Sequence, residues 1–123
     1  MSVFDGARCT ALLSTERFGR SLTVLAETDS TMDDARAAAD GGAPEGHVVL
    51  ADQQRRGRGS HGRVWSSPPG SDLYFSLVLR PGLSLSDLPP LTLAVGLAVA
   101  DALAHAAPES RVAINWPNDV FVN

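Results

Sequence analysis

QQRRGRGSHGRVW, from Gln53 to Trp65, is the stretch around which the rest of the chain is arranged. Its glycines permit positive φ angles and a close approach of the backbone to a ligand. Its four arginines offer planar guanidinium groups that suit phosphate or carboxylate, and they repel one another unless an anion is present. Because an apolar run leads into the stretch, the pattern predicts an anion-binding loop at the end of a β-strand. We call it the Arg/Gly segment.

The composition excludes several other kinds of chemistry. The chain has 123 residues, enough for a single modest core, and a net charge of -4, so no global positive field draws it to nucleic acid or to an anionic membrane. All its basic residues are arginines, which excludes a catalytic or phosphate-binding lysine. Cys9 is the single cysteine and cannot form an intrachain disulfide, which fits a cytoplasmic protein. The first ten residues lack the pattern of a signal peptide.

Upstream of the Arg/Gly segment, the sequence predicts two strands joined by a helix. The apolar run at residues 47–51 predicts a central strand, and residues 22–26 predict a second strand. Ser30, followed by Asp33 and Asp34, is typical of a helix N-cap and predicts a helix over residues 31–40. Residues 1–21 are expected to form an N-terminal arm.

Downstream, aromatic and β-branched residues predict a strand at residues 72–80. The apolar stretch that follows, about residues 91–106, is short for a membrane span and carries Asp101 and His105, so we expect a buried helix. Residues 111–114 and 120–122 predict a hairpin around a polar turn. Together the pattern indicates a mixed α/β fold, a sheet with flanking helices.

Three polar turns end these elements, at residues 28–31, 53–65 and 115–119. Each has a purely structural interpretation. Ser30 and Thr31 fit a helix cap, Asn118 and Asp119 fit an ordinary turn, and Trp65 and Trp116 fit core aromatics. The alternative is that the three turns converge on one ligand.

The order of the three turns favours a ligand site. Glu27-Thr28-Asp29-Ser30-Thr31, then Gln54 with the Gly57 to Trp65 pattern, then Trp116-Pro117-Asn118-Asp119 resembles the catalytic domain of biotin–protein ligases. The resemblance runs from about Leu22 to Asn123. It implies the biotin/lipoate ligase-like α/β (α+β) fold, with residues 22–123 as a partial catalytic domain.

The resemblance also implies a reaction. Members of that family use ATP and Mg²⁺ to convert biotin to biotinoyl-5′-AMP, and then transfer the biotinoyl group to a lysine of the biotin carboxyl carrier domain of a carboxylase. A carboxylate must approach a charged nucleotide in this reaction, so fixed cations are needed to neutralise the approach.

By the same resemblance, particular residues receive roles in the site. The residues implied to bind biotin are Ser30, Thr31, Gln54, Arg58, Gly59 and Ser60. The residues implied to bind the nucleotide are Gly57, Arg63, Trp65, Asn118 and Asp119. Arg58 and Asp119 are the implied catalytic residues, and no residue is expected to be a metal ligand.

The sequence departs from the family pattern at three of its motif positions. Met32 stands where the family usually has asparagine, and Asn115 replaces a lysine. Ser60 stands where the best-known members have an arginine that acts on the phosphate. In this chain, that role is expected either to pass to Arg55 or Arg56 or to be lost.

Family members continue with a Gly-Lys strand and usually a small β-barrel, neither of which precedes Asn123. We therefore expect the chain to hold the front half of the site, with an open sheet edge and doubtful activity alone. A helix-turn-helix segment is not recognisable either, so binding to DNA is not expected, nor is binding to a membrane.

Other functions remain open at this point. A lipoate or octanoyl ligase shares the fold, although Gln54 and the Trp-Pro-Asn-Asp turn favour biotin. The Arg/Gly segment also suits a non-enzymatic nucleic-acid binder, against which the acidic charge weighs. The third alternative is a non-catalytic remnant of a ligase.

Overall fold

The structure is a computed structural model that describes residues 2–66 and 68–123. The chain forms two compact units, Met1–Arg80 and Pro81–Asn123. The helices and strands of the first unit are α1 (Gly6–Leu12), β1 (Leu22–Thr28), α2 (Thr31–Asp40), β2 (Val48–Gln54), β3 (Gly57–Arg58), β4 (Val64–Trp65) and β5 (Tyr74–Leu77). Those of the second unit are α3 (Pro89–Ala106), β6 (Val112–Asn115) and β7 (Asp119–Val122).

The sheet of the first unit has the strand order β1-β2-β5, with β1 parallel and β5 antiparallel to β2. This confirms the prediction of a central strand. Both β1 and β2 extend beyond their apolar residues, and the last pair in their register is Thr28 with Gln54. The backbone ladder therefore carries two polar side chains to the same end of the sheet, side by side.

Helix α2 covers one face of this sheet. Its N-cap is Ser30, as predicted, and the Oγ of Ser30 accepts a hydrogen bond from the backbone N of Asp33 at 3.4 Å. Ala35 packs in the core with Val49 and Val78, and its small side chain lets the helix lie close to the strands. The helix start is thereby fixed above the end of β2.

The N-terminal segment is held to the first unit by polar contacts. The buried carboxylate of Asp52, on β2, accepts hydrogen bonds from the Ser2 hydroxyl at 3.0 Å and the Val3 backbone N at 2.6 Å. The Arg20 guanidinium donates to three backbone carbonyl groups, including that of Leu13 at 2.9 Å. The segment therefore begins beside the central strand.

The Arg/Gly segment was predicted as a loop, and the structure gives it a more regular form. Strands β3 and β4 pair antiparallel, Gly57 with Trp65 and Arg58 with Val64. The connection turns through His61 and Gly62, whose φ angles of 60° and 75° lie in the left-handed region. Glycine is depleted in strands and the segment holds three glycines, so the sequence did not indicate this hairpin.

The second unit consists of α3 and the β6–β7 hairpin. The prediction that α3 is a buried helix is wrong, because only Gly96 and Ala100 are buried along it. Within this unit the helix packs against the hairpin and the Leu85–Asp87 turn, which leave much of its apolar surface uncovered, with Leu97 56% exposed. By length and composition α3 is able to cross a membrane, but core helices of soluble proteins pass that test as well.

Candidate functional site

The first unit contains a cavity of about 490 Å³ where the start of α2, the end of β2, the β3–β4 hairpin and β5 meet. Five residues predicted to bind a ligand line it: Ser30, Thr31, Gln54, Arg58 and Trp65. The other lining residues are Met32, Ser66, Asp72, Leu73, Tyr74, Phe75 and Ser76. Polar groups therefore converge on a cavity whose walls are partly apolar, as in a small-molecule site.

Gln54 is fixed in the cavity wall by α2. Its side-chain oxygen Oε1 accepts hydrogen bonds from the backbone N of Thr31 at 2.9 Å and from the Thr31 hydroxyl at 3.2 Å. A backbone N–H can only donate, so the atom facing it must be the amide oxygen. The Nε2 group of Gln54 lies close to Gly57 and donates no hydrogen bond to a side chain or backbone group within residues 2–66 and 68–123.

The hydroxyls of Ser30 and Thr31 serve the helix and the cavity together. Ser30 caps α2 and is only 3% exposed, and yet it lines the cavity. The Thr31 hydroxyl donates to Gln54 and lies 2.9 Å from the Ser76 hydroxyl, which can donate to it in turn. The helix-cap interpretation is therefore confirmed at Ser30, and the predicted site role of the two residues stays a prediction.

Tyr74 and Ser76 were missed as site residues by the sequence prediction. Both line the cavity from β5, and the buried hydroxyl of Tyr74 has no hydrogen-bond partner among the residues that the structure describes. A buried hydroxyl without a partner costs about 1–3 kcal/mol, and a ligand acceptor would recover that cost. The signal was the alternation along residues 74–77, which places 74 and 76 on the same face of the strand.

Gly57 is required by the packing of the hairpin. A Cβ atom on Gly57 would overlap Nε2 of Gln54 and lie 3.0 Å from the Cβ of Trp65. Gly59, whose backbone N donates to the carbonyl of Arg63 at 2.7 Å, closes the hairpin. The predicted ligand residues Gly59, Ser60 and Arg63 belong to this closure and do not line the cavity.

Two arginines of the segment are paired with carboxylates, which the sequence prediction did not foresee. Arg58 donates to Asp33, with Nη2 to Oδ1 at 2.6 Å and Nη1 to Oδ2 at 3.0 Å. Arg55 pairs with Asp29 at 2.8 Å and Glu27 at 3.4 Å. The hydrogen bonds from Arg58 lower the pKa of the Asp33 carboxyl below its ordinary value. Acidic residues before and within α2 therefore offset the repulsion among the arginines.

The same ion pairs indicate which arginine is available for the role of the family arginine that Ser60 replaces. Arg55 is engaged by two carboxylates. No carboxylate within residues 2–66 and 68–123 forms an ion pair with Arg56 or Arg63. Of the two arginines suggested for the missing role, Arg56 is the one whose charge is uncompensated.

Neither tryptophan fills a core. Trp65 is 63% exposed and lines the cavity, and Trp116 is 78% exposed in the second unit. The interpretation of both as core aromatics is therefore wrong. An exposed indole beside a cavity offers a flat apolar face on which a ligand ring can stack.

Asn118 and Asp119 lie in the second unit, at the turn of the β6–β7 hairpin. Asp119 begins β7 and pairs with Asn115 across the hairpin. Gly96 of α3 allows the turn to approach, since a Cβ on it would lie 3.0 Å from the Cα of Asn118. The helix thus positions the turn.

Comparison with known proteins identifies the family. Residues 24–123 match the family model for the biotin/lipoate A/B protein ligase family. The bifunctional ligase/repressor BirA of Bacillus spizizenii is 40% identical over 111 residues, which are 90% of this chain and 34% of that protein. The biotin--[acetyl-CoA-carboxylase] ligase of Mycobacterium tuberculosis is 39% identical over 83% of this chain and 40% of its own length. The chain thus spans about a third to two fifths of these curated relatives.

Solved structures agree with the sequence matches. The biotin protein ligase of Leishmania major, in complex with biotinyl-5-AMP, superposes with a TM-score of 0.70 and 33% identity over 84% of this chain and 47% of that one. The enzyme of Aquifex aeolicus, in complex with biotin and ATP, gives a TM-score of 0.68 and 37% identity over 83% of this chain and 41% of that one. These matches confirm the predicted α/β ligase fold. The chain belongs to the biotin/lipoate A/B protein ligase family, among biotin protein ligases that it matches over part of their length.

Proposed function

We propose that this chain carries the biotin-binding and part of the nucleotide-binding residues of an ATP-dependent biotin–protein ligase. The observation that carries the proposal is the amide of Gln54, fixed by Thr31 in the wall of a cavity that Ser30 and Tyr74 also line. The family membership and the ligands named for the Leishmania and Aquifex enzymes support it.

The cavity suits the ureido ring of biotin. That ring has a carbonyl acceptor and two N–H donors in a flat, otherwise apolar frame. Gln54 Nε2 and the Tyr74 hydroxyl, which has no partner among the described residues, would be donors for the carbonyl, and the oxygens of Ser30 and Ser76 would be acceptors for the ring N–H groups. A site that hydrogen-bonds its ligand in this way rejects analogues lacking those groups, since its own buried groups would then be unpaired.

The proposed reaction has two steps. An oxygen of the biotin carboxylate attacks the α-phosphorus of ATP, the bond from the α-phosphorus to its bridging oxygen breaks, and pyrophosphate leaves. A lysine amine of the carrier domain then attacks the acyl carbon, loses a proton, and displaces AMP. Arg58 is the proposed group that offsets the negative charge where carboxylate and phosphate meet.

The remaining predicted residues complete the proposal for the nucleotide. Gly57, Gly59, Ser60 and Arg63 would hold the hairpin beside the phosphates, with Trp65 against a ring, while Asn118 and Asp119 would contact the adenylate. Mg²⁺ enters as the counter-ion of ATP, because this ion keeps phosphate and water ligands. Within residues 2–66 and 68–123 no group of three His, Cys, Asp or Glu side chains is placed to hold a metal ion. The use of ATP and of a carrier domain agrees with a cytoplasmic location.

Titration calorimetry of the full chain with biotin tests the proposal. We expect binding of biotin, and tighter binding of a non-hydrolysable biotinoyl-adenylate analogue because it adds the phosphate and the adenine. A folded sample that gives no heat with either compound would overturn the proposal.

Lipoate is the second candidate, because the matching family model covers lipoate ligases as well. The dithiolane ring of lipoate has no hydrogen-bonding group to use Gln54, whereas biotin has three. Competition between lipoate and bound biotin separates the two: lipoate is expected not to displace biotin at equal concentration.

A further inference from the structure

The Asp33 carboxylate fills one edge of the Arg58 guanidinium. Nη1 and Nη2 of Arg58 each donate to a different oxygen of Asp33, at 3.0 and 2.6 Å. Two parallel bonds of this kind are what a guanidinium also forms with a carboxylate or phosphate of a ligand. Asp33 therefore occupies two of the five N–H donors of Arg58, on one of the edges that the anionic end of a ligand could use.

The contact is made from outside the cavity. Arg58 is one of the residues that line the cavity and Asp33 is not. Both side chains are about half exposed, 53% for Arg58 and 50% for Asp33. Water screens such a pair, so it is weakly held and can exchange one carboxylate for another.

The neighbouring carboxylate is not equivalent. Asp34 accepts a hydrogen bond from the hydroxyl of Thr28, at the end of β1. Successive residues of a helix point in different directions, so only Asp33 faces the hairpin. The pairing of Asp33 with Arg58 is thus a specific contact rather than a general effect of acidic residues at the start of α2.

Resting on the function proposed above, we propose that Asp33 is a specificity-determining residue that competes with the carboxylate or phosphate of the ligand for Arg58. Binding of the ligand exchanges the Asp33–Arg58 ion pair for a ligand–Arg58 ion pair. The released Asp33 carboxylate remains at the first turn of α2, where the helix dipole favours a negative charge.

This competition filters the ligands that reach Arg58. A simple anion must break the pair with Asp33 and gains nothing elsewhere in the cavity. A ligand whose neutral ring also bonds to Gln54 recovers the cost through that second contact. Arg58 therefore discriminates against anions that lack the ring, at the expense of some affinity for biotin itself.

The test compares a charged and a neutral ligand in the Asp33→Asn variant. Calorimetry is carried out on the full chain with biotin and with biotinamide, in which an amide replaces the carboxylate. The variant is expected to bind biotin about 2- to 5-fold more tightly than the unaltered protein. A half-exposed ion pair contributes a free energy that corresponds to at most about a 5-fold change in affinity. Its affinity for biotinamide should be unchanged.

Asp40→Asn is the matched control. It removes one negative charge from the same helix at an exposed position whose side chain makes no hydrogen bond or ion pair within residues 2–66 and 68–123. Neither affinity should change in this variant. If Asp33→Asn fails to fold by circular dichroism, Asp33→Ser provides the same loss of charge with another residue suited to the start of a helix.

The outcomes separate the two proposals. A ratio of biotin to biotinamide affinity that is the same with and without Asp33, or weaker binding of biotin in the variant, would overturn the competition and leave the biotin site standing. If the unaltered protein is folded and binds neither compound, the proposed function fails, and the competition fails with it.

Discussion

The backbone N of Thr31 donates to Oε1 of Gln54 over 2.9 Å, and so joins the first residue of α2 to the last residue of β2. The orientation of the Gln54 amide is thereby set by the protein before a ligand approaches. An acceptor of the proposed ligand would meet a donor that needs no reorganisation, which would lower the entropic cost of binding.

Replacing Gln54 with glutamate should abolish this donor while keeping the acceptor that Thr31 needs. We expect Gln54→Glu to weaken biotin binding by about 10- to 100-fold, equivalent to about 1.5–3 kcal/mol for a lost buried hydrogen bond. Calorimetry measures the effect. Gln53→Glu is the control, because it makes the same chemical change at a neighbour that does not line the cavity. Equal losses in the two variants would argue against a specific role for Gln54.

Replacing Tyr74 with phenylalanine removes a hydroxyl that has no partner in the described part of the chain. The free energy of unfolding without ligand should stay the same or rise slightly, because an unsatisfied buried group is eliminated. Biotin affinity should fall by about 5- to 10-fold if the hydroxyl donates to the ligand. Urea denaturation and calorimetry on the same sample check both. A loss of stability with unchanged affinity would contradict this role.

Gly57→Ala should damage the cavity, because its methyl group would meet the Gln54 amide and the Trp65 side chain. The Gln54 side chain is the easier to displace, so we expect at least a tenfold loss of biotin affinity. Gly82→Ala is the matched control, since nothing lies within 4 Å of a Cβ at that position. Affinity that is retained in Gly57→Ala would show that the close contact is not needed for binding.

Glu45 should contribute to stability at neutral pH and not in acid. The backbone N of Arg80 donates a hydrogen bond to Glu45, and this is the largest cause that lowers the pKa of its carboxyl. The guanidinium of Arg17 donates a second hydrogen bond and lowers the pKa further. A carboxyl with a lowered pKa stabilises the fold above its unfolded value of about 4.3, and this contribution is lost as the pH falls through the folded value.

The Glu45→Gln variant tests this pH dependence. The difference in free energy of unfolding between the protein and the variant, measured by urea denaturation, should be present at about pH 7 and shrink as the pH falls below about 4.3. Glu109→Gln is the control, since Glu109 is exposed and forms no ion pair within residues 2–66 and 68–123. A difference that persists in acid would mean that the substitution acts by packing.

Local patterns predicted the elements around the site well. Ser30 as N-cap, α2 from Thr31 to Asp40 and the central position of β2 all follow from short-range signals, namely a capping residue and a continuous apolar run. The resemblance of the three turns to a ligase family, and not these signals, named the five candidate residues that the fold gathers around one cavity. Their roles, like those of Asn118 and Asp119, stay predictions.

Such local patterns do not predict contacts between residues that are far apart in the sequence. The pairing of Arg58 with Asp33 depends on the angle at which the hairpin meets α2, and the exposure of α3 depends on what packs beside it. Tyr74 reads as an ordinary strand aromatic until its hydroxyl is found without a partner. Periodicity describes which face a residue occupies and does not describe what lies opposite.

The hydrogen bonds from Ser2 and Val3 to Asp52 have a practical consequence for producing the protein. An affinity tag at the N-terminus would be close in sequence to these residues, which contact the strand that carries Gln54, two positions beyond Asp52. We expect an affinity tag at this position to alter ligand affinity. The tag should therefore be removed before calorimetry.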